Sequence, residues 1–260
     1  MSRTGIEPLD VDEIKSNLRT NRIGRNVLVF NSTSSTNDIA RRYMPDRNND
    51  GLAVFAEEQT AGRGRSGNKW YSSRSDSIIC SILLIDNKLN IELLSLTFAV
   101  AVADTVGRQA KIKWPNDIIL NDKKVGGILI ETIHDKNSNS CIIGIGINCH
   151  QKNTDFPKEI QSAATSLDIE SHSITNRNLF AKRLLNSIDS WLEVAEKNRE
   201  EIVEQWHLLS ILSGHRVTLL FNGKKFTGNC IGIDPEKGLI LQLDTGGVRM
   251  FDAAHTTIVR

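Results

Sequence analysis

Residues able to do chemistry fall in five short stretches of this chain. The densest covers positions 59–70, QTAGRGRSGNKW, where Gly62, Gly64 and Gly67 alternate with Arg63 and Arg65, and Lys69 and Trp70 close the run. Glycine accepts backbone angles that other residues avoid and lets backbone N–H groups approach a ligand. Arginine presents a fixed fork of donors that matches carboxylate and phosphate oxygens. Together they describe a flexible cationic loop suited to closing over an anion. A solvated surface loop has the same composition, so the other stretches must decide.

Upstream, Ser35, Thr36 and Asn37 open a helical pattern. Helix starts expose unpaired N–H groups and a partial positive charge, so these residues are either an ordinary cap or small polar groups placed for a ligand. Positions 113–117, KWPND, join a proline-fixed turn to Asn116 and Asp117. Their oxygens suit a magnesium ion carried by a nucleoside triphosphate, or simply an Asx-type turn. Positions 123–131, KKVGGILIE, set Lys124 ahead of two glycines at the start of an apolar strand. Its ammonium would meet a crowded backbone site or sit in a solvated hairpin. Positions 144–148, GIGIN, alternate glycine with isoleucine and end on the amide of Asn148. Such a pattern thins a sheet where something else must approach.

The elements that position these groups follow from periodicity and turn residues. A short amphipathic helix is expected over 10–20, a strand over 26–30, and a helix continuing through 39–44. After a turn at 46–51, a strand over 52–56 delivers Glu57, Glu58 and Gln59 to the glycine loop. A buried strand over 77–85 and a helix apolar on most faces over 93–106 come next. Strands over 118–120, 125–131 and 141–148, joined by a turn at 121–123 and a loop at 135–140, form an antiparallel meander. Positions 151–173 are polar and irregular, and helices follow over 179–194 and 200–209. From His215 onward short strands alternate with tight turns, with Asn222-Gly223 as a hairpin signal. This divides the chain into a unit over 1–213 and a small SH3-like barrel over 214–260.

Composition narrows the function. The 260 residues are 39% hydrophobic and 24% charged, with a net charge of +1. That describes a soluble globular protein with no bulk attraction to nucleic acid or membrane, so any cationic function is local. No apolar run reaches the roughly 18 residues of a membrane span, and the first 14 positions lack a signal-peptide core. Cys80, Cys141, Cys149 and Cys230 form no CxxC pair and read as buried thiols of a reducing, cytoplasmic compartment. The G-x-G-x-x-G match at 62–67 is followed by Trp70-Tyr71-Ser72-Ser73 and a strand instead of a helix, which rules out a dinucleotide fold, and there is no G-x-x-x-x-G-K-[ST].

In order and spacing, S-T-N, Q-x-A-G-R-G-R-x-G-x-x-W, K-W-P-N-D, K-x-G-G-I-L-x-E and G-x-G-x-N resemble the biotin protein ligase family over 26–148, and more loosely in the C-terminal barrel. The resemblance implies an α+β fold: a central mixed, largely antiparallel sheet flanked by helices, as in class II synthetases, with an SH3-like barrel. It implies the short form without an N-terminal DNA-binding domain, hence no DNA partner, and possible homodimers. It implies ATP-dependent activation of biotin as biotinoyl-5′-AMP and transfer to a lysine of a biotin carboxyl carrier protein, with ATP, biotin and Mg2+ required.

By the same resemblance Ser35, Thr36 and Gln59 bind the biotin head with Asn37 beside them. Arg63 faces the biotin carboxylate, Gly62 and Gly64 let the loop wrap, and Arg65 contacts biotin and the phosphate. Lys124 bridges carboxylate and α-phosphate, and Lys124 and Arg63 are the catalytic candidates. Trp70 flanks adenine, and Asn116, Asp117 and Asn148 serve the nucleotide, with Asp117 the candidate for magnesium. The chain departs from the family pattern at Asn68, where a basic residue is common, and at 71–75, YSSRS. Three rivals remain: a lipoate-type ligase of the same fold, a thioester-dependent acyltransferase using Cys149, and an RNA-binding module.

Overall fold

The computed structural model describes residues 6–135 and 138–259. In chain order its elements are α1 (Val11–Lys15), β1 (Val27–Phe30), α2 (Thr36–Tyr43), β2 (Ala53–Ala56), β3 (Ser77–Leu84), α3 (Ile91–Val106), β4 (Lys111–Lys113), β5 (Asp117–Leu120), β6 (Lys123–Asp135) and β7 (Ser138–Asn148). Then come α4 (Leu167–Ser171), α5 (Arg177–Lys197), α6 (Arg199–Leu209), β8 (Arg216–Phe221), β9 (Lys224–Asp234), β10 (Gly238–Leu243), β11 (Val248–Phe251) and β12 (Thr256–Ile258).

Strand side chains alternate between faces, and here both faces are covered. On β3, Ile78, Cys80, Ile82 and Leu84 enter the larger core with α3, α5 and α6. Leu83 lies in the smaller core on the other face, with Ile39 and Ala40 of α2. A strand buried on both sides reads as an unbroken apolar run, which is how SIICSILLI reads. Helix α3 is buried almost all round because the sheet lies on one side of it and α5 and α6 on the other.

The seven-stranded sheet has the order β1-β2-β3-β7-β6-β5-β4. Strands β1 and β2 are parallel, and the other neighbours are antiparallel. The fold is thus the mixed, mostly antiparallel sheet with flanking helices that the family resemblance implies. A second, five-stranded antiparallel sheet has the order β11-β10-β9-β8-β12. Its first hairpin turns at Asn222 and Gly223, both at positive φ, as a two-residue type I′ turn requires.

Several expectations are adjusted. Helix α1 stops at Lys15, well short of position 20, and Asn17 takes a positive φ of 54°. The expected loop at 135–140 is mostly strand, since β6 runs to Asp135 and β7 resumes at Ser138. Its remaining positions, 136–137, lie outside the described residues, as do residues 1–5 of the N-terminal stretch. Strand β4, Lys-Ile-Lys at the sheet edge, has only one buried side chain and so left no apolar pattern to read. The irregular stretch after 151 contains the five-residue helix α4, capped by Ser166.

Candidate active site

The period of two along β7 creates the site. Ile142 packs in the smaller core, and Gly144, Gly146 and Asn148 share its face. Where the side chain shrinks from isoleucine to hydrogen the sheet surface recedes, Asn37 and Trp70 pack onto it, and together with the two glycines they line a cavity of about 670 Å³. Its wall collects residues from α2, the glycine loop, the 113–117 turn, β6, β7 and β12.

All expected site residues line this cavity except Gly62. Gly62 acts by close approach: a Cβ there would stand 3.0 Å from Gln59 Nε2 and 3.1 Å from the Trp70 carbonyl oxygen. The glycines of β7 do the same for two side chains. A Cβ on Gly144 would come within 2.7 Å of Asn37 Oδ1, and one on Gly146 within 2.5 Å of the Trp70 indole.

One part of the wall is a buried neutral cluster. Gln59 Oε1 accepts from the Thr36 backbone N–H at 2.7 Å and from Thr36 Oγ1 at 3.0 Å. Ser81 Oγ bonds Thr36 Oγ1 at 2.7 Å and Asn37 Oδ1 at 2.6 Å. Ser81, fully buried behind this wall, was not among the expected residues, although a serine inside the apolar run of β3 was a usable signal. Ser35 is the N-cap residue of α2, yet its side chain caps nothing, which removes the cap explanation for it. Asn37 Nδ2 and Trp70 Nε1 are buried with no hydrogen-bond partner. Trp114, also on the wall, has its Nε1 buried and unpartnered as well. Buried donors are normally paired, so three such donors without partners among the described residues fit a site whose acceptors come with a ligand.

The charged part is arranged differently. Lys124 Nζ stands 2.5 Å from Asp117 Oδ1, an ion pair across neighbouring strands β5 and β6. The backbone of Lys124 is clamped as well: its N–H donates to Ala163 at 2.8 Å and its carbonyl accepts from Thr165 at 2.9 Å. Arg65 reaches Asn116 Oδ1 at 3.3 Å and also donates to the Ala253 carbonyl. Burial lowers its pKa, and the charges of Asp117 and Glu92 oppose that shift. Arg63 is bidentate to Asp38, at 3.0 and 2.7 Å, and reaches Glu131 at 3.2 Å. Those bonds raise its pKa, and the Arg63 bonds hold Asp38 below the ordinary carboxylate range. In this structure Arg63 therefore straps the loop to α2 and β6, its guanidinium committed to Asp38 and Glu131.

Two expected nucleotide ligands also serve as braces. Asn116 Nδ2 donates to the Ile128 carbonyl at 2.9 Å while its oxygen receives Arg65. Asn148 Nδ2 donates to the Thr165 carbonyl at 2.9 Å and its oxygen accepts from Gln151 at 3.4 Å. Among the described residues no group of three or more His, Cys, Asp or Glu could hold a metal ion, and Asp117 is the sole carboxylate on the cavity wall. Cys149 is fully buried and its thiol is pushed up to about 12, chiefly by burial. Cys80 reaches the wall, but burial raises its pKa too. Neither is a thiolate near neutral pH, which argues against an acyl-cysteine route.

Gly146→Ala tests the wall. The added methyl overlaps the indole, so Trp70 must leave its place or β7 must shift. Overpacking of this kind costs about 1–3 kcal/mol. The variant is expected to lose thermal stability and to change its tryptophan emission. Unchanged values of both would mean that the indole does not pack on Gly146.

The biotin/lipoate A/B protein ligase family model matches residues 29–148. The chain is similar to the bifunctional ligase/repressor BirA of Bacillus spizizenii, at 32% identity over 256 residues, covering 94% of this chain and 78% of that protein. It is similar to the biotin–[acetyl-CoA-carboxylase] ligase of Mycobacterium tuberculosis, at 30% identity over 253 residues, covering 92% of this chain and 91% of that one. Its fold is similar to that of biotin protein ligase from Aquifex aeolicus, solved in complex with biotin and ATP, with a TM-score of 0.77 at 29% identity. That match covers 91% of this chain and 99% of the other.

Proposed function

Because the chain belongs to the biotin/lipoate A/B protein ligase family, with biotin ligases among its relatives, we propose that it condenses biotin with ATP to biotinoyl-5′-AMP and then biotinylates one lysine of a biotin carboxyl carrier protein. It is an enzyme of the biotin ligase type. One observation carries the finer reading: a single cavity joins a buried neutral cluster to a wall bearing Lys124 and Arg65. A ureido-type head matches the first, and a carboxylate beside a phosphate matches the second.

In the first half-reaction a carboxylate oxygen of biotin attacks the α-phosphorus, and the bond from that phosphorus to the pyrophosphate oxygen breaks. Two anions must approach each other, so fixed cations and positioning do the work, and no protein nucleophile is needed. Lys124, held by Asp117 and by the strand-like clamp at residues 163–165, is the pre-placed ammonium at that point. Thr36, Asn37 and Gln59 hold the head, with Ser81 bracing Thr36 and Asn37 from behind, Trp70 stands against the adenine, and Arg65 meets the phosphates. Arg63, strapped to Asp38, keeps the loop over the site and water away from the anhydride. Asp117 is the carboxylate on this wall that would meet a magnesium ion carried by the nucleotide, and the ion would offset phosphate charge there. In the second half-reaction the carrier lysine, as free amine, attacks the acyl carbon, AMP leaves, and the amine loses a proton.

Residues 1–213 make up the catalytic unit in this reading and 214–260 the SH3-like unit that closes one side of the cavity through β12. No helix among the described residues is long and apolar enough to cross a membrane, and the four cysteines are unbridged, which supports a cytoplasmic enzyme. The test is mass spectrometry of a carrier domain incubated with enzyme, biotin and Mg-ATP. One biotinyl group on one lysine is expected. An unmodified carrier, or ATP–pyrophosphate exchange driven by lipoate and not by biotin, would refute the reading.

A further inference from the structure

Arg65 belongs to the glycine loop, yet what holds its guanidinium lies elsewhere: Asn116 in the 113–117 turn and the carbonyl of Ala253, between β11 and β12. The Ala253 peptide is itself held from its other end. Its N–H donates to Glu92 Oε1 at 2.8 Å. Glu92 lies in the first turn of α3 and is only 5% exposed, and its second oxygen, Oε2, is buried without a partner. One turn further along α3, Ser95 Oγ donates to the Pro115 carbonyl at 3.2 Å, next to Asn116. Both supports of Arg65 thus trace back to one face of α3.

A carboxylate buried with half its hydrogen-bonding capacity unmet is costly, and burial raises its pKa. No packing need explains it, since an apolar side chain would fill the space at lower cost. What it supplies is an acceptor for one peptide N–H, and through that peptide a fixed carbonyl for Arg65.

We propose that Glu92 is a positioning residue: by holding the Ala253 peptide it fixes the carbonyl that orients Arg65, and so makes the turn between β11 and β12 a working part of the phosphate-binding half of the site. The proposal rests on the reading of Arg65 as a phosphate ligand. A merely structural glutamate would affect both substrates alike, whereas this one acts on the nucleotide alone.

The experiment compares Glu92→Ala and Glu92→Gln in biotin-dependent ATP–pyrophosphate exchange and in amide hydrogen exchange. Glu92→Ala is expected to raise the KM for ATP about tenfold, the weight of one hydrogen bond, with the KM for biotin within about twofold. Glutamine keeps the acceptor, so Glu92→Gln is expected to stay near the unsubstituted enzyme. Hydrogen exchange is expected to quicken in Glu92→Ala at both 250–256 and 61–70. Ala253→Pro deletes the same bond from its donor side, serves if Glu92→Ala does not fold, and must give the same split. An unchanged KM for ATP, equal rises for both substrates, a Glu92→Gln variant as impaired as Glu92→Ala, or faster exchange at 250–256 alone would each overturn the proposal. If the unsubstituted protein shows no biotin-dependent exchange, the biotin reading falls, and the hydrogen-exchange comparison still decides on Glu92.

Discussion

Lys124→Ala is expected to lower ATP–pyrophosphate exchange by about 10²–10³-fold, the loss typical when one pre-placed donor is removed from a developing charge. The structure sharpens the reason. Lys124 Nζ is the partner of Asp117, at 2.5 Å, on the same wall. In the proposed reaction, deleting the ammonium would remove a cation from between two reacting anions and would leave a third anion, Asp117, unpaired beside them. Lys124→Arg is expected to rescue little, because a planar fork cannot occupy the place of a compact ammonium whose backbone is clamped on both sides. Single-turnover formation of biotinoyl-AMP reads the step directly. Exchange within tenfold of the unsubstituted enzyme would mean that Lys124 does not stabilise the reacting charges.

Arg177→Met carries the largest expected stability loss, about 3–5 kcal/mol, the range found when one partner of a buried ion pair is removed. Arg177 and Glu57 lie 2.9 Å apart with side chains 1% and 3% exposed. Glu57 also accepts from the Leu9 N–H at 2.5 Å and from Ser75 Oγ at 2.7 Å, while the Ser75 N–H donates to the Glu57 carbonyl at 3.0 Å. The two feet of the glycine loop thus meet at this pair. Burial alone would raise the Glu57 pKa, but the bonds from Arg177, Leu9 and Ser75 outweigh it and hold the carboxyl below its ordinary range.

The sign of the pH effect follows. A depressed folded pKa stabilises the protein above the unfolded carboxylate pKa, and that contribution fades as pH falls through the folded value. In the methionine variant burial is left unopposed by a cation, the pKa rises, and protonation relieves the cost. The difference between the two proteins is therefore expected to be widest near neutral pH and to shrink on acidification. Denaturant titrations at pH 7 and pH 5 test this. A difference below about 1 kcal/mol at pH 7, or one that grows in acid, would contradict the buried-pair account.

Much of the site was legible in the sequence because its signals are local. Glycines at 144 and 146 mark a strand that must yield space, whatever fills it, and the filler proved to be Asn37 and Trp70. The run of β3 reads as buried whichever elements cover it. Other features were illegible because the partner is remote in sequence. Ser81 looks like one polar interruption in a strand until Thr36 and Asn37, more than 40 positions earlier, are brought against it. Glu92 carries no motif and gains meaning only from Ala253, 161 positions later. Strand β4 was missed because a three-residue edge strand with charged ends has no period to detect.

By itself the sequence marked the short stretches that line the cavity, since turn chemistry, strand period and loop composition act over a few neighbouring residues, and their resemblance to the biotin protein ligase family tied those stretches to one site. Only the tertiary structure decided what each polar group is committed to. Arg63 is strapped to Asp38, Asn116 and Asn148 brace the wall, and Lys124 is paired with Asp117, whereas Asn37 Nδ2 and Trp70 Nε1 keep no protein partner. The reason is physical: whether a donor is spent on the protein or kept for a ligand depends on which acceptor the packed sheet brings within about 3 Å of it, and sequence distance carries no record of that.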